Sequence, residues 1–334
     1  MNEKRGRTLQ NKILLDINED DIKELDKRLL KILLIDRTTQ KNILWGTDDY
    51  LELGSEYEAG NEILEELITG KQSRIIQPRI AKAKKQKKDR TRQRAEVFTP
   101  SWVCNAQNNL VDEQWFGGEQ HFNVTSGEKW ISLQEPIRFA EKGAKTWKKY
   151  VDAKRLEITC GEAPYIASRY DSVTGKTIPV SDRIGLLDRK LRVVGENTES
   201  IQDWMFWAKR AIESVYGYEF HGDSLLLARE NVLYTYIEFF KDRFKVEPEI
   251  KNLKEIAHVI SWNLWQMDGF NYAIPYCKVE SGPRQMSIFD FMDEEDMFDY
   301  KALTDTKGQK LCKIRDWRSK ETILYRDLLV EEVK

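Results

Sequence analysis

Three short β-type runs, separated by helix-type stretches and each closing on a turn or an acid, constrain this chain more than any other feature. Residues 155–159 read RLEIT and run directly into Cys160-Gly161-Glu162-Ala163. Residues 214–220 read SVYGYEF, with Glu219 at the end of the run, and lead into the helical pattern LLLARENVLYTYIEFF. A third apolar run, IAHVISWNLWQMDGF, finishes on Asp268-Gly269. Strand, glycine turn, helix, strand with a terminal acid, helix, strand is the order of an α/β unit built on a parallel sheet. Ligands of such sheets bind outside the C-terminal ends of the strands. Backbone amides around Cys160 and Gly161 then face a ligand, Glu219 can accept from ribose hydroxyls, and Asp268 can accept from an adenine amino group. Each acid taken singly also fits an ordinary cap or turn residue; it is the three in order that point to a nucleotide-type site.

The length of 334 residues suits about two domains. The first, residues 1–94, reads as a small helical region. Ile22, Leu25, Leu29, Leu30, Ile32 and Leu33 recur at helical spacing between about Glu19 and Leu34, and Ile63, Leu64, Leu67 and Ile68 suggest a second helix from Gly60 to Thr69, stopped by Gly70. Residues 95–334 form the α/β domain, with a further amphipathic helix expected over about 200–214. Trp204, Trp207, Trp262 and Trp265 could stack bases, but core packing explains them more simply.

Net charge is -2, from 54 Lys+Arg against 56 Asp+Glu, yet the charge is segregated. Lys71 to Arg94 carries eleven basic residues and one acid, a local +10 that leaves about -12 elsewhere. Such a run is either a solvated helix face or a phosphate-contacting element. The second reading assigns DNA contacts to Arg79, Lys82, Lys84, Lys85, Lys87, Lys88, Arg90, Arg92 and Arg94. Residues 286–300 hold six acids and no base. The four cysteines form no CxxC pair and the three histidines are scattered, so neither a disulfide framework, a zinc site nor histidine catalysis is expected. No stretch approaches the roughly 20 apolar residues of a membrane span, and the start MNEKRGRTLQNK lacks a signal-peptide apolar run. A cytoplasmic protein with no membrane partner is expected.

The series AEVFTPSWV (95–103), LEITCGEAPYIASRYD (156–171), VYGYEFHGDSLLLARENVL (215–233) and NLWQMDGF (263–270) resembles the ordered motifs of S-adenosylmethionine-dependent DNA adenine-N6 methyltransferases. The similarity is to the γ-type M subunits of restriction-modification systems and covers about residues 70–334. It implies a Rossmann-like methyltransferase sheet with S-adenosylmethionine as cofactor. By this resemblance Phe98, Thr99 and Pro100 would pack on the methionine part, Glu157, Cys160 and Gly161 would form the cofactor loop, Glu219 would bind the ribose and Asp268 the adenine.

The departures from the family pattern are informative. The usual Asp-Pro-x-Cys-Gly-x-Gly loop has Ile158 in place of proline and Ala163 in place of the second glycine. The interval from Gly161 to Glu219 far exceeds the roughly 20 residues of a simple dinucleotide unit, which implies an insertion at about 171–205. The Asn/Asp-Pro-Pro-aromatic tetrapeptide, which accepts from the target amino group and stacks on the flipped base, does not occur in this sequence. The expected function is therefore the cofactor-binding subunit of a split enzyme acting on duplex DNA in a restriction-modification or phage-defence system. A second chain would supply the catalytic motif, the remaining strands and target recognition, so no catalytic residue is assigned within this chain. The alternative is a catalytically inactive, methyltransferase-like subunit for DNA binding or assembly. Residues 285–289, QMSIF, also resemble peptides that dock into the groove of the bacterial sliding clamp.

Overall fold

The computed structural model describes residues 15–81, 99–118, 120–278 and 308–331. Two short helices open it, α1 (Glu19–Leu25) and α2 (Lys27–Leu34). The expected single helix over 19–34 is broken because Asp26 adopts an extended backbone and its carboxylate caps α2, accepting from Arg28 N at 2.8 Å. The helix expected at 60–69 is absent: that stretch forms turns and one 3-10 turn at Glu65–Leu67. Its chain is instead tied sideways to residues 42–44, where Ile63 N donates to Ile43 O at 2.8 Å and Asn42 Nδ2 donates to Ile63 O at 2.9 Å.

Helix α3 (Ser101–Phe116) follows, then the hairpin β1 (Asn123–Ser126) with β2 (Lys129–Ser132), and helix α4 (Trp147–Asp152). The α/β unit proper alternates β3 (Arg155–Glu157), α5 (Leu186–Asn197), α6 (Ile201–Glu213), β4 (Val215–Glu219), α7 (Gly222–Phe244), α8 (Ile250–Asn263) and β5 (Leu264–Gln266). These three strands make a parallel sheet in the order β3-β4-β5, with Glu157 opposite Gly217 and Glu219 opposite Gln266. All five residues of β4 are buried, as expected for the middle strand of a parallel sheet. Gly217 leaves room there for close packing: a Cβ would stand 3.2 Å from Cys160 Sγ and 3.0 Å from Leu264, so both side chains would have to give way slightly. The outer edge of β3 carries no strand among the described residues. Two small antiparallel pairs, β6 (Ala273–Lys278) with β7 (Gln309–Leu311) and β8 (Lys313–Asp316) with β9 (Glu321–Leu324), and a last helix α9 (Tyr325–Glu331) complete the mixed α/β architecture.

The N-terminal residues share the core of this unit. Leu29, Leu30 and Leu33 of α2 belong to the same apolar cluster as Leu225 of α7 and Ile256 and Ile260 of α8. Gln266 binds both faces of the Leu44 peptide, accepting from its N–H at 2.7 Å and donating to its carbonyl at 2.9 Å. Buried Arg229 of α7 donates to the carbonyls of Leu33, Ile35, Ser261 and Leu264. Helix α3 is unusual in burying polar residues, Asn105, Asn108, Asn109 and Asp112. They surround Arg189 of α5, which donates to Asp112 Oδ2 at 2.5 Å, Asn105 Oδ1 at 2.8 Å and Asn109 Oδ1 at 2.7 Å. These three acceptors satisfy a buried guanidinium, while Ser101 N at the start of α3 donates to Asp171 Oδ2 at 2.8 Å and holds it beside the loop that follows β3. No helix among the described residues is long and apolar enough to cross a membrane.

Candidate functional site

A cleft of about 810 Å³ opens at the C-terminal ends of the three parallel strands. Thr99, Glu157, Cys160, Gly161, Glu219 and Asp268, named above from separate motifs, all line it, and so does Arg79. Pro100 stands next to Thr99 as the N-cap of α3. Phe98 and the basic residues Lys82, Lys84, Lys85, Lys87, Lys88, Arg90, Arg92 and Arg94 lie outside the described residues, as does the 285–289 segment. Arg79, three residues before the 82–98 stretch, and Thr99, directly after it, both line the cleft.

The loop after β3 is wound tightly: Thr159, Gly161 and Ala163 all have positive φ, at 49°, 53° and 61°. Ala163 therefore takes the backbone conformation a glycine would adopt there, at a cost of about 1–2 kcal/mol, and its methyl is fully buried. From Ile158 to Gly185 the chain makes turns and one 3-10 turn, Val180–Asp182, and the next α-helix is α5. The start of α5 packs on this loop, but its first N–H groups are spent there: Leu186 N and Leu187 N donate to Tyr165 O and Ile166 O at 2.7 and 2.9 Å. They do not stand open to a pyrophosphate as in dinucleotide folds.

Glu219 closes β4 and is buried. Its Oε2 accepts from Gly161 N at 2.9 Å; its Oε1 accepts from Phe220 N at 2.9 Å and His221 N at 3.1 Å, with His221 Nδ1 3.3 Å away. The carboxylate thus holds the cofactor-type loop against the strand end, and on Oε2 one lone pair remains for a ligand. Glu157 accepts from Tyr165 N at 3.3 Å and Ile166 N at 3.2 Å; burial, only partly offset by these bonds, pushes its carboxyl up to about 8. At neutral pH it is a neutral acid facing the cleft. Asp268 lies two residues past β5 and caps its own turn. Its Oδ1 accepts from Phe270 N at 2.9 Å and its Oδ2 from Asn271 Nδ2 at 2.5 Å.

Sequence reasoning missed several walls of the cleft. Glu162 accepts from Arg79 N at 2.5 Å and from the Tyr170 hydroxyl at 2.5 Å, and Asn231 Nδ2 of α7 donates to the Glu162 carbonyl at 3.0 Å. Phe270 lines the rim with 97% of its surface exposed. Its position directly after Asp268-Gly269 was the one available signal. The aromatic expectation divides: Trp204 and Trp265 are buried core residues, whereas Trp207 and Trp262 are half-buried. All four cysteines are free thiols, and Cys160 is packed under the loop.

Neither a family model, nor a curated protein, nor a solved structure matches this chain. What can be said of function therefore rests on the geometry of the cleft and on the motif resemblance.

Proposed function

We propose that this chain is the S-adenosylmethionine-binding subunit of a DNA adenine-N6 methyltransferase, Rossmann-like in its sheet, whose catalytic tetrapeptide comes from a second chain. The observation that carries the reading is the convergence of Thr99, Glu157, Cys160, Gly161, Glu219 and Asp268 on one cleft at the strand C-termini. The residues also fit the charge of the group. Besides the neutral Glu157, three acids, Glu162, Glu219 and Asp268, face the cleft with Arg79 and His221, which suits a sulfonium and an ammonium. The first N–H groups of α5, already bonded to Tyr165 O and Ile166 O, count against a pyrophosphate-bearing dinucleotide instead. Bound there, S-adenosylmethionine would supply an activated methyl group on sulfur.

In this reading Glu219 accepts a ribose hydroxyl on its remaining lone pair, Phe270 offers a stacking face to the adenine, and Asp268 fixes that ring's loop as well as accepting from the amino group. Phe98, Thr99 and Pro100 close the methionine end. The basic run from Lys82 to Arg94, which lies between the cleft-lining Arg79 and Thr99 in the sequence, contacts duplex phosphates and adds affinity without sequence choice. The uncovered edge of β3 supports a partner that contributes a strand. Leu156 of that strand and Ile158 just past its end are 41% and 62% exposed, although parallel strands are normally covered on both faces.

Calorimetric titration of S-adenosylmethionine into the chain, alone and with the protein encoded beside it, tests the proposal. Binding that weakens at least about tenfold in Glu219→Ala, the loss of a charge-assisted hydrogen bond, is the expected result. No heat of binding under either condition overturns it and leaves the inactive, methyltransferase-like assembly subunit as the reading. The departures at Ala163 and the missing tetrapeptide favour that second reading.

A further inference from the structure

A second surface of distinctive chemistry lies on the helices that feed the N-terminal ends of the strands, away from the cleft. Residues 138–155 hold seven Lys or Arg against two acids, an excess separate from the basic run at 71–94. Within it, Trp147 of α4 meets Trp207 of α6 edge to face, with ring centroids 4.8 Å apart at 62°. Phe206 packs edge-on against Trp207 at 5.4 Å and keeps 61% of its surface exposed. Lys148 Nζ lies over both indoles, 5.6 Å from the Trp147 ring and 5.4 Å from the Trp207 ring. Neighbouring cations are neutralised, Arg210 by Asp152 and Glu213 and Lys209 by Glu255. Lys142, Lys148 and Lys149 are exposed and have no acidic partner among the described residues.

Trp147 and Trp207 pack in part on the core and Lys148 is held over their rings, but folding gives no reason for the bare ring of Phe206 or for a second lysine, Lys149, beside the first. An exposed phenylalanine adds little burial, and adjacent ammonium groups repel one another. A polyanion with flat apolar faces satisfies both features. We propose that Phe206, Trp147 and Trp207 with Lys148 and Lys149 bind single-stranded nucleic acid, the bases stacking on the aromatic rings and the phosphates lying on the lysines. Duplex DNA meets the lysines but keeps its base faces stacked inside, so the exposed ring of Phe206 selects an unpaired strand. This surface does not depend on the assignment of the cleft: α4 and α6 run into the starts of β3 and β4, whereas the cleft lies at their ends.

Fluorescence anisotropy with a labelled oligothymidine of about 20 nucleotides at about 50 mM salt tests the assignment on the intact chain. The basic run also offers phosphate contacts, so the reading is taken between variants. Lys148→Glu with Lys149→Glu is expected to weaken binding at least about tenfold. Phe206→Ala is expected to weaken it about fivefold or more, while affinity for a duplex of the same length stays unchanged. Indole fluorescence should fall when the wild-type chain is saturated with the single strand. All three positions are on the surface, and thermal unfolding near that of the wild type confirms that the variants are folded. Absence of binding, equal affinity of wild type and either variant for the single strand, or an equal loss on the duplex when Phe206 is removed overturns the proposal.

Discussion

At the residue scale, Glu157 sets burial against its own ionisation. Its side chain is shut away at the end of β3 with two backbone N–H donors, and burial holds its carboxyl at about 8, well above its unfolded value near 4.5. The folded state therefore binds a proton that the unfolded state has released. Stability from this group is complete below about pH 4.5 and is lost as pH rises toward 8, at up to about 1.4 kcal/mol per pH unit. Glu157→Gln removes the titration while keeping shape. Urea denaturation of both proteins should show the variant gaining on the wild type steadily from pH 5 to pH 8.5. A difference between them that does not change with pH would contradict the assignment. Glu19, also raised to about 8 by burial, adds a fall of the same sign to both proteins and cancels in the comparison. Glu157 came only through the motif resemblance, whereas Gly161 and Glu219 were legible because strand ends announce themselves by an apolar run that stops. Glu162, Tyr170 and Asn231 were not, because they reach the cleft from turns and from a helix whose spacing carries no mark of a site.

At the element scale, legibility followed the periodicity. Strand β4 and helices α6 and α7 lie close to where apolar spacing of two or 3.6 residues placed them. Helix α5 was harder to read as core because Asp188, Arg189 and Lys190 are all buried within it, and only the partners on α3 and elsewhere make that tolerable. The run ending at Asp268 read as one strand. It is a helix followed by a three-residue strand, since buried Asn263 turns its amide onto the carbonyls of Ile212 and Val215 and stops the helix. The edge of β3, unpaired among the described residues, carries a consequence of its own. Unpaired edges with apolar side chains invite further pairing, so the isolated chain should self-associate at high concentration. Ile158→Lys, at a 62% exposed position, should cost no more than about 0.5 kcal/mol of stability and suppress that association in sedimentation velocity. A wild-type chain that stays monomeric at every concentration would show the edge to be inert.

At the scale of the whole molecule, near-neutrality hides two charged segments, and the division into a helical region and an α/β domain is bridged by a shared core. Leu29, Leu30 and Leu33 pack in the cluster that holds α7 and α8. Arg229 makes the bridge polar as well as apolar. Burial lowers its pKa to about 9, with Asp36 the nearest opposing charge, and its donors are satisfied only while the carbonyls of Leu33 and Ile35 are in place. Peeling α1 and α2 away would expose those leucines, at about 1.5–3 kcal/mol each, and strip two acceptors from a buried guanidinium, at about 1–3 kcal/mol or more. Independent opening of residues 15–76 is thus as costly as a small domain's entire stability. Scanning calorimetry of the intact chain should show residues 15–76 and the parallel-sheet unit unfolding in one transition, and Arg229→Met should lower that transition without splitting it. Two resolved peaks in the wild type would mean that the N-terminal helices fold on their own and that the shared core contributes little coupling.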